Sequence, residues 1–264
     1  VFSEILGMVS PTAFSRASRI KRLVKDIAAA LNLPNAWQYE LAAMFSQIGC
    51  VAIPPDTLER AYRGQSLTAE ERKLFEEHPQ IGAKLLSNIP RLEKIANMVA
   101  NQNKPFHSFP PPQRDSKDPT AVGAQLLKVA IGYDDLVATG LPPAAAAAQI
   151  VEKPDQYNPR FARALQSLCG KEGEREKRSL PVEELGVGMI LYEDVIASNG
   201  LLLVAKGQEI TPPVLERLRN FKQTIGVTEP VHVLIPKTQE KDRGKNQGSE
   251  LQPDSTHSST TARQ

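Results

Sequence analysis

Cysteine is nearly absent from this 264-residue chain: Cys50 and Cys169 stand alone and cannot form a disulfide framework, so a reduced, cytoplasmic setting is the expectation. Aromatics make up only 5% of the residues, while charged residues, at 23%, are ordinary for a soluble globular protein. No apolar run approaches the roughly 18 residues that a membrane-spanning helix needs. No basic-then-apolar leader opens the sequence, which argues against a secretory signal. Neither sign of charge dominates: 32 Lys and Arg face 30 Asp and Glu, for a net +2. That balance speaks against nucleic acid or a membrane surface as partner. Gly-rich phosphate loops, Cys-x-x-Cys and His-Glu-x-x-His are all missing. The four histidines, His78, His107, His232 and His257, are too scattered to predict a shared metal site.

What is present is helical period over residues 1–169. Ile20, Leu23, Val24, Ile27 and Leu31 form one apolar face behind Arg16, and Trp37, Leu41, Met44, Phe45 and Ile48 form a second. Thr68 followed by Glu71 predicts a capping box, opening a helix to about Glu77 that Pro79 and Gly82 interrupt. Arg91 to Asn103 is a further helix, with Leu92, Ile95, Ala96 and Val99 inward. The proline-rich stretch 105–118 reads as a loop. Helices resume at Pro119, through the alanine run 144–148, and from Asn158-Pro159 to Gly170.

The texture then changes. KEGEREKR (171–178) holds seven charges in eight positions, so residues 170–178 are expected to be a solvated linker. Residues 179–236 predict a small α+β module. Asn199-Gly200 between apolar runs predicts a hairpin, Thr211-Pro212-Pro213 opens a helix, and Val231 to Ile235 reads as a closing strand. About 55 residues are marginal alone, so the module should pack on the helical part. Residues 237–264, almost without apolar side chains, are expected to be a disordered tail. The fold class is therefore mainly α: a helical bundle, a small α+β module and a tail.

Three runs carry more specific information: LAAMFSQIGCVAIPPDTL (41–58), SLTAEERKLFEEHPQIGAKLL (66–86) and ANMVANQNKPF (96–106). Their order and spacing resemble the HD-GYP branch of the HD phosphohydrolase superfamily. VAIGYDDL (129–136) and QYNPRFARAL (156–165) extend the resemblance over about residues 1–168. It implies an HD-type helical bundle, and in that family histidines and aspartates hold two or three metal ions that activate water against a cyclic dinucleotide. Carried onto this chain, the first-helix His falls on Arg16 and the His-Asp pair on Ser46 and Gln47. The third His is His78, the His-His pair falls on Gln102 and Asn103, and the later Asp on Ile131. The family's Lys after Ile-Gly is Cys50, its second Asp is Asp134, and the Gly-Tyr-Pro loop is not recognisable between Phe106 and Pro112.

One ligand of seven remains. Ser, Gln and Asn are weak neutral ligands, Ile none, and Arg stays cationic. The expectation is a chain without metal cofactor or phosphodiesterase activity, hence no catalytic residues. Arg16 lies on the apolar stripe and has two open readings. It fills the former metal cavity, paired with Asp134 or bonded to Gln47, or it snorkels out at the helix end. The neighbouring Arg19, Lys21, Arg22 and Lys25 are expected on a solvated face. His78 reads blandly as a satisfied helix-terminal histidine before Pro79. Cys50 reads as a small buried residue and Cys169 as structural.

LPVEELGVGMILYEDVIASNGLLLVAKGQEITPPVLERLRNF (180–221) resembles the short domain that follows HD domains in bacterial response regulators. That implies a signal-transduction output domain acting on a protein partner, with an upstream receiver domain and a homodimer both compatible. Two alternatives stay open: a nucleotide sensor without turnover, with Cys50 and Asp134 in its pocket, and an active phosphodiesterase with relocated carboxylates.

Overall fold

A computed structural model describes residues 10–114, 118–170 and 175–236. The tail expected at 237–264 lies outside the described residues.

The first helix, α1, spans Pro11–Ala30, five residues earlier than its apolar stripe suggested. Pro11 suits the first turn, and the Ser10 side chain accepts a hydrogen bond from the Ala13 N–H. α2 follows at Ala36–Phe45 and ends in a 3₁₀ turn, Ile48–Ala52. α3 is Pro55–Tyr62, α4 Ala69–Ser87 and α5 Glu93–Ala100. The expected loop 105–118 contains a 3₁₀ turn at Phe106–Ser108 and one turn of helix, α6, at Pro111–Arg114. α7 (Pro119–Ala138), α8 (Pro143–Val151) and α9 (Pro159–Cys169) complete the bundle. Its core is aliphatic and alanine-rich: Ile20, Val24 and Ile27 of α1 meet Ala42 and Ala43 of α2, Met98 and Val99 of α5, and Leu126 and Ala130 of α7.

Two sequence expectations change here. Trp37 is 61% exposed; Tyr39, two residues on and so across the helix, takes the inward place with Ala42 and Ala43. And α4, capped as expected by the Thr68–Glu71 box, runs straight through Pro79. A proline lacks the N–H that would bond the carbonyl four residues back, here that of Phe75. The neighbouring imidazole replaces it: His78 Nδ1 lies 2.5 Å from Phe75 O.

In the second part, β1 (Arg175–Leu180) begins inside the segment expected to be linker, so residues 175–178 belong to the module. β1 pairs antiparallel with β5 (Val231–Pro236), and β5 with the short β2 (Ile190–Leu191), giving the order β1-β5-β2. β3 (Val195–Ile196) and β4 (Leu202–Val204) form the expected hairpin, with Gly200 at φ +85° accepting the left-handed turn. α10 (Pro212–Thr224) closes a separate small core of Val182, Leu191, Leu203, Ile210 and Leu218. The module packs on the bundle where β4 and the turn after it meet α1.

Candidate functional site

The polar centre of the bundle starts from one close backbone approach. Gly49, in the 3₁₀ turn after α2, packs directly on α4. A Cβ there would lie 1.9 Å from the carbonyl oxygen of His78 and 2.8 Å from the Gly82 nitrogen. Only glycine permits this contact, and it brings Ser46 and Gln47 beside His78. Gln102, just past α5, joins them. Its Nε2 donates to His78 Nε2 at 3.2 Å and to the Ser46 carbonyl at 3.0 Å. His78 therefore carries its proton on Nδ1, bonded to Phe75 O, and offers Nε2 as acceptor. Gln47 turns the other way: its Oε1 accepts from Tyr62 OH at 2.8 Å, and its Nε2 donates to Ser46 Oγ at 3.2 Å.

On the far side of Tyr62 stands Arg16, 3% exposed, its guanidinium 4.4 Å above the tyrosine ring. Nη2 donates to Asp135, and Nε lies 3.6 Å from Asp134. Burial opposes its charge, but Asp135 and Asp134 outweigh that, and the net direction is towards firmer protonation. Arg16 thus follows the buried reading, with the two aspartates rather than Gln47 as partners. Arg19 is a correction. It is not on a solvated face but grips Asp134 with two hydrogen bonds, Nε at 2.6 Å and Nη2 at 3.0 Å. Arg22 likewise donates to the Gly207 carbonyl of the module.

Of the seven positions, Arg16, Ser46, Gln47, His78, Gln102 and Ile131 are buried, whereas Asn103 is exposed and takes no part. Asp134 and Cys50 are buried beside them. Tyr62 went unnoticed in the sequence, Arg19 was assigned to water, and Asp135 was weighed only as a relocated metal ligand, not as a partner of Arg16. An adjacent acid pair on the otherwise apolar α7 was the available signal. Cys50 touches Tyr62 OH at 3.4 Å, and burial pushes its thiol up to about 11. It stays protonated and unreactive at neutral pH.

The donor set decides what the centre can hold. Two guanidiniums face two carboxylates, so the cluster is balanced without a further cation. His78 Nε2 already accepts from Gln102, and Ser and Gln are weak ligands. Among the described residues no three His, Cys, Asp or Glu side chains converge on a point where a metal could bind. These residues do not fit a catalytic metal centre.

His78 also sets a pH dependence. Burial, aided by the charge of Arg16 and opposed by the Phe75 hydrogen bond, lowers its pKa from 6.5 to about 4. Between those values the unfolded chain binds the extra proton, so stability is complete above about pH 6.5 and falls as pH drops towards 4, by at most roughly 3 kcal/mol. Urea midpoints at pH 7 and 4.5 should separate in the native protein and draw together in His78→Gln; equal separation in both would refute the assignment. Glu71, held at about 2 mainly by its hydrogen bond from Arg60, acts in a lower window, its contribution fading as pH falls from 4.5.

Fold and site together define a helical-bundle domain with a buried, charge-balanced polar centre and an appended α+β module. The family model described as HD domain matches residues 1–160, more than half the chain, and the chain belongs to the HD domain family, typically metal-dependent phosphohydrolases. Among solved structures, Bd1817, a HDG"Y"P protein from Bdellovibrio bacteriovorus, is similar at 18% identity and a TM-score of 0.47. The match covers 61% of this chain and 53% of that one, so this chain spans about half of that structure's length. No curated protein matches. Among the described residues no helix is long and apolar enough to cross a membrane.

Proposed function

We propose that this chain is a non-catalytic, HD-GYP-like output domain of a bacterial signal-transduction protein, working through contact with a protein partner. The observation that carries the reading is Arg16: a permanent cation sits in the polar centre, held there by Asp134 and Asp135. A guanidinium cannot lose its proton to become a ligand, and its charge repels a divalent ion. Metal-assisted hydrolysis needs a cation that lowers the pKa of bound water to about 7, and the residues around Arg16 supply no ligand set for one. Trp37, a residue type that anchors interfaces, stands exposed on the bundle and supports a partner-binding role.

The test loads purified protein with manganese or iron, assays the metal after desalting, and follows cyclic di-GMP turnover. No stoichiometric metal and no turnover are expected; a bound pair of ions with product formation would overturn the proposal. Calorimetric titration of cyclic di-GMP separates it from a nucleotide sensor without turnover. The arginines' charges are already neutralised by Asp134 and Asp135, so no heat of binding is expected.

A further inference from the structure

The turn Lys206–Gln208 of the module sits on α1. Arg19 Nη1 donates to the Lys206 carbonyl at 3.3 Å, and Arg22 Nη1 to the Gly207 carbonyl at 3.3 Å. Between Ser15 and Gln208, both buried, the Ser15 hydroxyl donates to Gln208 Oε1 at 3.0 Å. Gly207 has φ +80°, and a Cβ on it would come within 2.5 Å of Arg19 Cδ. The turn therefore has the shape of the Arg19 side chain. On its other edge the same guanidinium holds Asp134 with two hydrogen bonds, and Asp134 faces Arg16.

The geometry points to a clasp: docking of the C-terminal module and closure of the polar centre are energetically coupled through Arg19. A guanidinium is a rigid planar fork, so fixing one arm on the module's carbonyl orients the other two on Asp134. When the turn leaves, Nη1 turns to water, the stem regains its rotamers, and the grip on Asp134 loosens. Coupling of this kind is reciprocal: weakening the Asp134 contact loosens the module by the same factor. A partner that takes the α1 face from the module would thus open the polar centre, giving the fold a route for passing a signal between its two parts. This goes beyond the proposed function and does not rest on it; a chain found to hydrolyse phosphodiesters would keep the clasp.

Hydrogen exchange on the full chain tests it. Gly207→Ala is carried by the module and would push its turn off the Arg19 stem, with no contact to α7 of its own, and it should speed exchange of the α7 amides around Asp134 by about tenfold, within the usual range of coupling between sites. Asp134→Asn perturbs only the bundle, yet it should speed exchange in β4 and the turn after it by a similar factor. Should Gly207→Ala fail to fold, Gln208→Ala, which removes the contact with Ser15 from the module side without touching Asp134, takes its place with the same expectation. Faster exchange across both parts in each variant supports the clasp. A change confined to the part that carries the substitution overturns it.

Discussion

Gly49→Ala is expected to lower the free energy of unfolding by more than about 4 kcal/mol, enough to leave the chain largely unfolded at 37 °C. The added methyl would fall 1.9 Å from a main-chain oxygen of α4 and 2.8 Å from a main-chain nitrogen. Neither atom can step aside by a rotamer change. The 3₁₀ turn and α4 would have to separate, and with them Ser46 and Gln47 would leave His78. Gly123→Ala serves as a comparison: its Cβ would meet the Met98 side chain, with Sδ at 2.4 Å. Methionine is unbranched and adaptable, so about 1–3 kcal/mol is expected there. Urea unfolding followed by circular dichroism measures both, and a Gly49→Ala midpoint near that of the native protein would contradict the close approach described for this turn.

Arg16→Ala should cost about 3–5 kcal/mol, which for a chain of this size is a fall in melting temperature of roughly 10 °C. The substitution empties a buried site and takes one cation from Asp134. Arg16→Met should behave differently. Methionine keeps the stem volume, Asp134 keeps its two hydrogen bonds from Arg19, and Asp135, whose side chain is 53% exposed, can turn to water. Nη1 of Arg16 has no hydrogen-bond partner, and buried ion pairs with incomplete bonding are often no better than apolar residues of equal volume. A near-native melting temperature for Arg16→Met beside a large loss for Arg16→Ala would assign the residue a space-filling role. An unchanged Arg16→Ala would mean that the guanidinium does not occupy the centre at all.

The sequence made some of this legible, for physical reasons that can be named. Capping chemistry is local, so Thr68 with Glu71, and Asn158 before Pro159, marked helix starts that the fold keeps. The Asn-Gly hairpin is equally local. The family resemblance carried by the three motif runs implied that Ser46, Gln47, His78 and Gln102 share one neighbourhood, and the fold brings them together. Arg19 was illegible because its partner Asp134 lies 115 residues away, and helical period alone assigns a charged residue off the apolar stripe to water. Trp37 was misplaced because its steps to Leu41, Met44 and Ile48 fit the helical period, as do those from Tyr39 to Ala42 and Ala43, and period alone does not say which stripe meets the core. Pro79 suggested a break, yet a proline inside a helix is tolerated where another donor takes up the orphaned carbonyl.

That last point reaches past this chain. Because Phe75 O depends on the imidazole beside it, His78 has a duty to the main chain that is independent of any ion. A lineage could abandon chemistry altogether and still be unable to discard this histidine without leaving an acceptor stranded in the protein interior. A His-Pro dipeptide inside a helix therefore has an architectural reason to persist, and by itself it is no sign of catalysis.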